Sequence, residues 1–362
     1  MRVLVVLTQP PLPEGGAPGR VAIGLLRGLM ANGVDVRALA ARQHFAESGE
    51  PPPGLPVEIV DVEPPAAGLR RQLDRLWRPR GELRGAFAER VREAARVVDV
   101  VHLEETETAW CDENVSTPSL VHVHYLVRRD RPLGWPWQKQ FRQVVEFRLG
   151  ERAAIRRHRY LVASSPLVAG ALREAAPSAD VVRAPLSLDP SLYPPAPLDG
   201  PPAAGLIGTA IWPPTAEAVQ RLATHVWPLV REQVPEAKLV VAGRGTEELG
   251  FSGPVESGRD FLQQLSVLLF PLQRGSGMKV KVLEAMASGV PVVTTPAGAE
   301  GIEDGVTVET GDEQLATAAA ELLRDPQLRL ARGAAARAAF ERLYSPEVAT
   351  RPLVELYERI AR

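Results

Sequence analysis

Apolar residues in this chain arrive in two rhythms: short unbroken runs, and longer stripes at helical spacing. Runs of strand length occupy Arg2–Leu7 (RVLVVL), Val34–Ala40, Val57–Val62, Asp99–Leu103 (DVVHL), Ser119–Tyr125 (SLVHVHY), Ala204–Gly208, Ala237–Ala242 and Ser266–Leu272. Continuous apolar runs of that length mark strands buried on both faces, as in parallel sheets. Between them, Arg20–Asn32 (stopped by Gly33), Gln138–Arg157 and Thr215–Val230 carry helical stripes. Asp260–Gln264 is a short helix, and Asp312–Leu323, Pro326–Leu343 and Pro346–Ala361 close the chain as helices. Leu69–Val98 reads as one or two arginine-rich helices broken near Pro79 and Gly81, and 159–174 (RYLVASSPLVAGALRE) as strand, Ser-Ser-Pro cap and helix. Strand and helix in regular alternation predict an α/β protein. The stretch 194–202 (PPAPLDGPP) has no periodic pattern and reads as a linker between residues 1–193 and 203–345.

One stretch carries most of the candidate chemistry, Ser266–Gly301. A strand there ends in the turn Gln273-Arg274-Gly275-Ser276-Gly277, and a helical stripe starts at Met278 and stops at Gly289. Val290–Thr295 follows as a second buried strand, with Pro291 tolerated at its start. A strand, a glycine turn and a helix leave backbone N–H groups of Gly275, Ser276 and Gly277 aimed at one spot, where the helix dipole adds positive charge. A phosphate or diphosphate suits that spot. Lys279 is within reach of such a group, and Glu284 is placed to accept hydrogen bonds from ribose hydroxyls. Spacing alone fits equally well a solvated lysine and a surface glutamate on an amphipathic helix.

Composition narrows the field. The chain has 362 residues, 45% apolar and 24% charged, which suits two globular domains. A net charge of −2 argues against a nucleic-acid binder. No apolar run is long enough to span a bilayer, no export leader is visible, and the one cysteine, Cys111, fits a reducing cytoplasm. Residues 127–159 hold ten Arg or Lys against three Asp or Glu, together with Trp135 and Trp137. Such a segment can lie on an anionic membrane surface or grip a charged acceptor, but a solvated arginine-rich helix is the favoured reading. The opening strand–helix–strand lacks the GxGxxG pattern that a dehydrogenase would show. No zinc-type spacing of His and Cys appears, and no Asp-x-Asp; the nearest is Asp61-Val62-Glu63. Glu104, Glu105 and Glu107 follow the DVVHL strand, at the end of a strand where ligands bind in open α/β sheets and where they could face an acceptor; such acids are more often helix-start charges.

The segment VLEAMASGVPVV (282–293) resembles the nucleotide-sugar site of the retaining glycosyltransferases of family four, group one. Their pattern is Glu, seven residues, Glu; Glu284 takes the second place, and Ser276 stands where the first would be, as in a subgroup with a GSG turn. The resemblance implies the GT-B fold: two Rossmann-like βαβ domains facing a cleft, with the last helix, 346–362, crossing back to the first domain. Residues 1–193 would then bind an acceptor and 203–345 the nucleotide sugar. It implies that Gly15 and Gly16, in a PPxxGG-like loop, approach the donor. His124 matches the histidine that ends a VH strand beside the reacting sugar. Gly208 and Thr209 follow the strand where the family carries an Arg and a Lys; this chain has neither, which leaves Arg274 and Lys279, with Lys281 and Arg244 behind them, to meet the diphosphate. Arg244 sits in a Gly-Arg-Gly turn, Val255 and Glu256 take the place of the nucleobase loop, and Met278 heads the helix. The activity implied is metal-independent hexosyl transfer, retaining, from a UDP- or GDP-sugar to an acceptor hydroxyl on a small molecule, glycan or lipid, with no other cofactor. Two relatives of the same architecture stay open: a non-catalytic partner subunit, and a sugar-nucleotide epimerase or phosphorylase.

Overall fold

The computed structural model describes residues 1–43, 49–62, 83, 85–135, 137 and 141–362. They form two units, Met1–Ser187 with Pro346–Arg362, and Leu188–Ser345. The predicted arginine-rich helix before residue 85, with its break at Pro79 and Gly81, lies outside the described residues, as do Glu63 and residues 138–140.

The first unit is built on a parallel sheet of order β3-β2-β1-β4-β5-β6-β7. Its strands are β1 (Arg2–Leu7), β2 (Asp35–Gln43), β3 (Val57–Val62), β4 (Val100–Glu104), β5 (Ser119–Val123), β6 (Tyr160–Ala163) and β7 (Asp180–Arg183). Alternate residues go to opposite faces. Val3, Val5, Val100 and Leu120 pack under the helices Ala17–Ala31 and Pro346–Ile360, through Leu25, Leu29, Leu353 and Leu356. Leu4, Val6, Val101 and Val121 pack on the other face with Phe87, Ile155 and Leu172. The helix at the end of the chain therefore completes the first unit. Gly28 makes that possible, because a Cβ there would overlap the Pro346 carbonyl. Asn32 Nδ2 then ties the pair, donating to the Glu347 carbonyl at 2.8 Å and to Thr350 Oγ1 at 3.0 Å.

The second unit has a parallel sheet of order β12-β11-β10-β8-β9. These are β8 (Ala203–Ile207), β9 (Lys238–Ala242), β10 (Val267–Phe270), β11 (Val292–Thr294) and β12 (Thr307–Val308). The predicted linker 194–202 is fastened to this unit. Gln263 Nε2 donates to the Pro194 carbonyl at 2.8 Å, the Ala196 N–H to the Ser288 carbonyl at 2.8 Å, and buried Arg329 to the Leu198 carbonyl at 2.7 Å. Proline removes N–H donors but leaves carbonyls, so an aperiodic stretch can still be held in place.

Other departures from the sequence expectation are local. Thr215–Val230 is part of a longer helical stretch, Pro213–Arg221 and Trp227–Gln233, joined by a π turn over Leu222–Val226. Pro228 offers no N–H to the preceding turn, which accounts for the wider winding there. The helix expected from Met278 starts at Val280, because Lys279 is still extended (φ −95°, ψ 105°) and serves as its N-cap residue. Among the described residues no helix is long and apolar enough to cross a membrane.

Candidate functional site

Each sheet has one place where the strand order reverses, and ligands of open α/β sheets bind beyond the carboxyl ends of the strands at that point. In the second unit the reversal falls between β8 and β10. The turn after β10 holds Gly275, Ser276 and Gly277. Ser276 is buried, and Gly277 has φ 69°, a left-handed conformation that favours glycine. Lys279 closes this turn from below, its Nζ donating to the carbonyls of Ser276 (3.1 Å) and Gly277. Met278 is buried beside it. Five residues on, Glu284 is only 7% exposed, so the surface reading of this glutamate falls away. The Tyr193 hydroxyl donates to its carboxylate at 3.0 Å and orients it.

After β8 the chain turns at Gly208 and the exposed Thr209. Gly243, after β9, has φ 134°, and a Cβ there would overlap the Gly208 carbonyl. The Ala210 N–H reaches the Arg244 carbonyl at 2.7 Å, and the Gly243 N–H reaches the Gly253 carbonyl at 2.6 Å. Gly208, Thr209, Arg244 and the 251–257 segment thus gather at one sheet edge, with Val255 and Glu256 exposed at its outer end. Arg274 is placed differently from the expectation. Its Nε and Nη2 grip Glu217 at 2.9 and 2.5 Å, which pins the turn to the Pro213–Arg221 helix. Sequence spacing shows nothing of that pair, whose members stand 57 positions apart.

In the first unit the reversal falls between β1 and β4. Gly15 is buried in the loop after β1, held by its N–H to the Leu12 carbonyl at 3.1 Å, and Gly16 is the N-cap residue of the Ala17–Ala31 helix. His102 and Glu104 share one face of β4. The β4–β5 register sets Glu104 opposite His122, and His124 follows on the same side. Three imidazoles therefore meet one buried carboxylate: His102 Nε2 at 2.7 Å, His122 Nδ1 at 2.9 Å and His124 Nε2 at 2.6 Å. Tyr357, from the last helix, closes the group with a hydrogen bond to His102 Nδ1. His122 Nε2 is buried with no partner of its own.

Charge in this cluster follows from position. Burial alone would raise the Glu104 carboxyl, but His122 and His124 beside it, with the His102 contact, hold it well below the usual carboxylate range. Burial lowers His122 to about 4 despite Glu104, so it is neutral at ordinary pH. Burial also works against a charged His124, yet Glu104, Glu105 and Glu107 together keep it above the usual histidine value. The Glu104 carboxylate thus orients the ring of His124 and favours its protonated form. Just past β4, Glu105 accepts a hydrogen bond from Thr8 Oγ1 at 2.6 Å. Burial, then Glu107, pushes the Glu105 carboxyl up to about 7.

His102, Glu104 and His122 offer ligand atoms within 4.8 Å of one another, a set that suits a zinc-like ion by chemistry. The nitrogen–oxygen separations of 2.7 and 2.9 Å are hydrogen-bond lengths, shorter than the roughly 3.3 Å edge of a tetrahedral site with bonds near 2 Å. The group is drawn around its carboxylate as an ion-pair network. The parity of His122 and His124 on one strand was visible in the sequence. The partners Glu104, Tyr357 and Thr8 come from other segments and were not.

Comparison with known proteins agrees with this architecture. Sucrose-phosphate synthase from Thermosynechococcus elongatus superposes with a TM-score of 0.71 at 16% identity, over 99% of each chain. HepE from Anabaena, solved with UDP and glucose, gives 0.66 at 16% identity, again over 99% of each chain. AviGT4, a glycosyltransferase of avilamycin A biosynthesis, gives 0.58 at 18%, over 100% of this chain and 98% of the other. No curated protein sequence matches the chain. Its two parallel-sheet units are those of the GT-B fold, and residues 201–325 match the family of glycosyl transferases, group 1.

Proposed function

We propose that the chain transfers a hexose, with retention of configuration, from a nucleoside-diphosphate sugar to an acceptor hydroxyl. The observation that carries the reading is the turn 275–279 at the strand reversal of the second unit, followed by buried Glu284. Backbone amides and cations at such a turn suit a diphosphate, and a buried carboxylate held by Tyr193 suits a pair of ribose hydroxyls. The match of residues 201–325 supports the same assignment, as do the UDP and UDP-glucose bound in the structures of HepE. UDP-glucose is accordingly the first donor to test.

In the reaction, departure of the diphosphate develops the most charge, and preorganised donors aimed at it supply the main stabilisation. Attack from the same face lets the leaving phosphate take the acceptor proton, so the chain needs no separate base. To His124, whose ring Glu104 orients and favours in its protonated form, we assign a hydrogen bond to a sugar hydroxyl. The first unit would take the acceptor.

The test is calorimetry of the full chain with UDP-, GDP- and dTDP-sugars. One of them should bind, and Glu284→Ala should weaken it by roughly tenfold or more, the loss of hydrogen bonds to a charged group. A wild type that binds none of the three removes the proposal; a Glu284→Ala variant that binds as well as wild type removes the role of that residue. Turnover is expected to survive chelation by EDTA, and the anomeric configuration of the product, read by NMR, reports retention.

A further inference from the structure

In the sequence Lys281 stands behind Arg274 and Lys279 as a candidate to meet the diphosphate, and its position in the fold sets it apart from both. It stands on the Val280–Ala287 helix, which follows β10, yet its side chain crosses to the turn that follows β8. Its Nζ lies 3.3 Å from Thr215 Oγ1 and 4.6 Å from the ring centroid of Phe270, the last residue of β10. A Cβ at Gly208 would come within 2.5 Å of the same nitrogen. The ammonium group therefore sits between the ends of β8 and β10, at the reversal of the strand order, where the crevice of an open sheet opens.

The other two cations of the segment have different work. Arg274 spends its fork on the Glu217 carboxylate, and Lys279 donates to the carbonyls of its own turn. Each shapes the turn. Lys281 instead brings positive charge to the edge where Gly208 has no side chain in the way.

Resting on the nucleotide-sugar reading, we infer that Lys281 is the residue that neutralises the donor's diphosphate, taking over from the opposite helix the charge missing after β8. Gly208 is its structural counterpart: any side chain there would displace the ammonium. An ammonium is a compact donor that serves phosphate as a point charge.

Lys281→Met keeps the stem over Phe270 and removes the charge. Calorimetry of the full-length variant with UDP, GDP and dTDP, each beside its nucleoside, separates the contributions. For the diphosphate that wild type binds, the variant should bind roughly tenfold to a hundredfold more weakly, the weight of one charge-assisted contact. Binding of the matching nucleoside should change less than about threefold on the same scale. Gly208→Ala, which keeps the lysine but displaces its nitrogen, should show the same selective loss and serves if the first variant folds poorly. Equal loss for diphosphate and nucleoside, or no loss in either variant, overturns the inference. A wild type that binds no nucleoside diphosphate at all overturns the underlying reading instead.

Discussion

Glu105 has φ 63° and ψ 158°, a backbone conformation that residues with side chains rarely adopt. Strain of that kind costs about 1–3 kcal/mol and persists only where the surroundings impose it. Here the Glu105 N–H is tied to the His122 carbonyl at 3.0 Å and the carboxyl to Thr8. Because burial and Glu107 raise its carboxyl from 4.5 to about 7, the folded chain keeps a proton there that the unfolded chain has already lost. This group therefore lowers stability as pH rises between about 4.5 and 7, and adds no further slope above that. Glu151, also buried and raised to about 7, acts in the same direction. Glu105→Gln is expected to flatten the fall in melting temperature between pH 5 and pH 8; an unchanged slope would show that the carboxyl titrates normally. The neighbouring pair gives an opposite signature. With Glu104→Gln, His124 loses its nearest negative charge and should titrate at lower pH than in wild type, a shift visible in its Cε1–H resonance.

At the scale of elements, helix packing depends on a few missing side chains. Gly28→Ala would push the Ala17–Ala31 helix off the Pro346 carbonyl, a case of overpacking with a cost of about 1–3 kcal/mol. Chemical denaturation should report it as a lower midpoint with an unchanged slope; a midpoint equal to wild type would mean that the two helices separate without cost. The same scale decides what could be read in advance. The strand–turn–helix–strand of 267–294 was legible because each apolar run is bounded by glycine or proline, and because its chemistry lies within one continuous stretch. The alternation of strands and helices made β1 to β6 and β8 to β11 legible for the same reason, while the short edge strands β7 and β12 carry too few apolar residues to stand out. Contacts across strands were not legible. That Glu104 meets three histidines depends on the β4–β5 register, and Tyr357 reaches His102 from 255 positions away. Nor does a helical stripe reveal which lysine crosses to a neighbouring turn: Lys279 and Lys281 look alike in sequence, and only β8 beside β10 distinguishes them.

On the scale of the whole molecule, the chain divides into one continuous unit and one interrupted unit. Leu353, Leu356, Tyr357 and Ile360 of the last helix are buried against the sheet and helix of the first. Removing residues 346–362 would expose that face, and the loss of several large apolar side chains exceeds the usual margin of domain stability. The truncated chain is expected to keep in calorimetry only the transition of 188–345, with the unfolding heat of the first unit lost. An unfolding heat equal to that of the full chain would contradict this.

That division has a consequence for biosynthesis. A ribosome releases the seven strands of the first sheet well before Pro346–Ile360, so one half of its covering is missing while all of 188–345 emerges and closes on itself. The lobe begun first is thus completed only after the other, and until Pro346–Ile360 arrives Leu25 and Leu29 lack the helix that covers them.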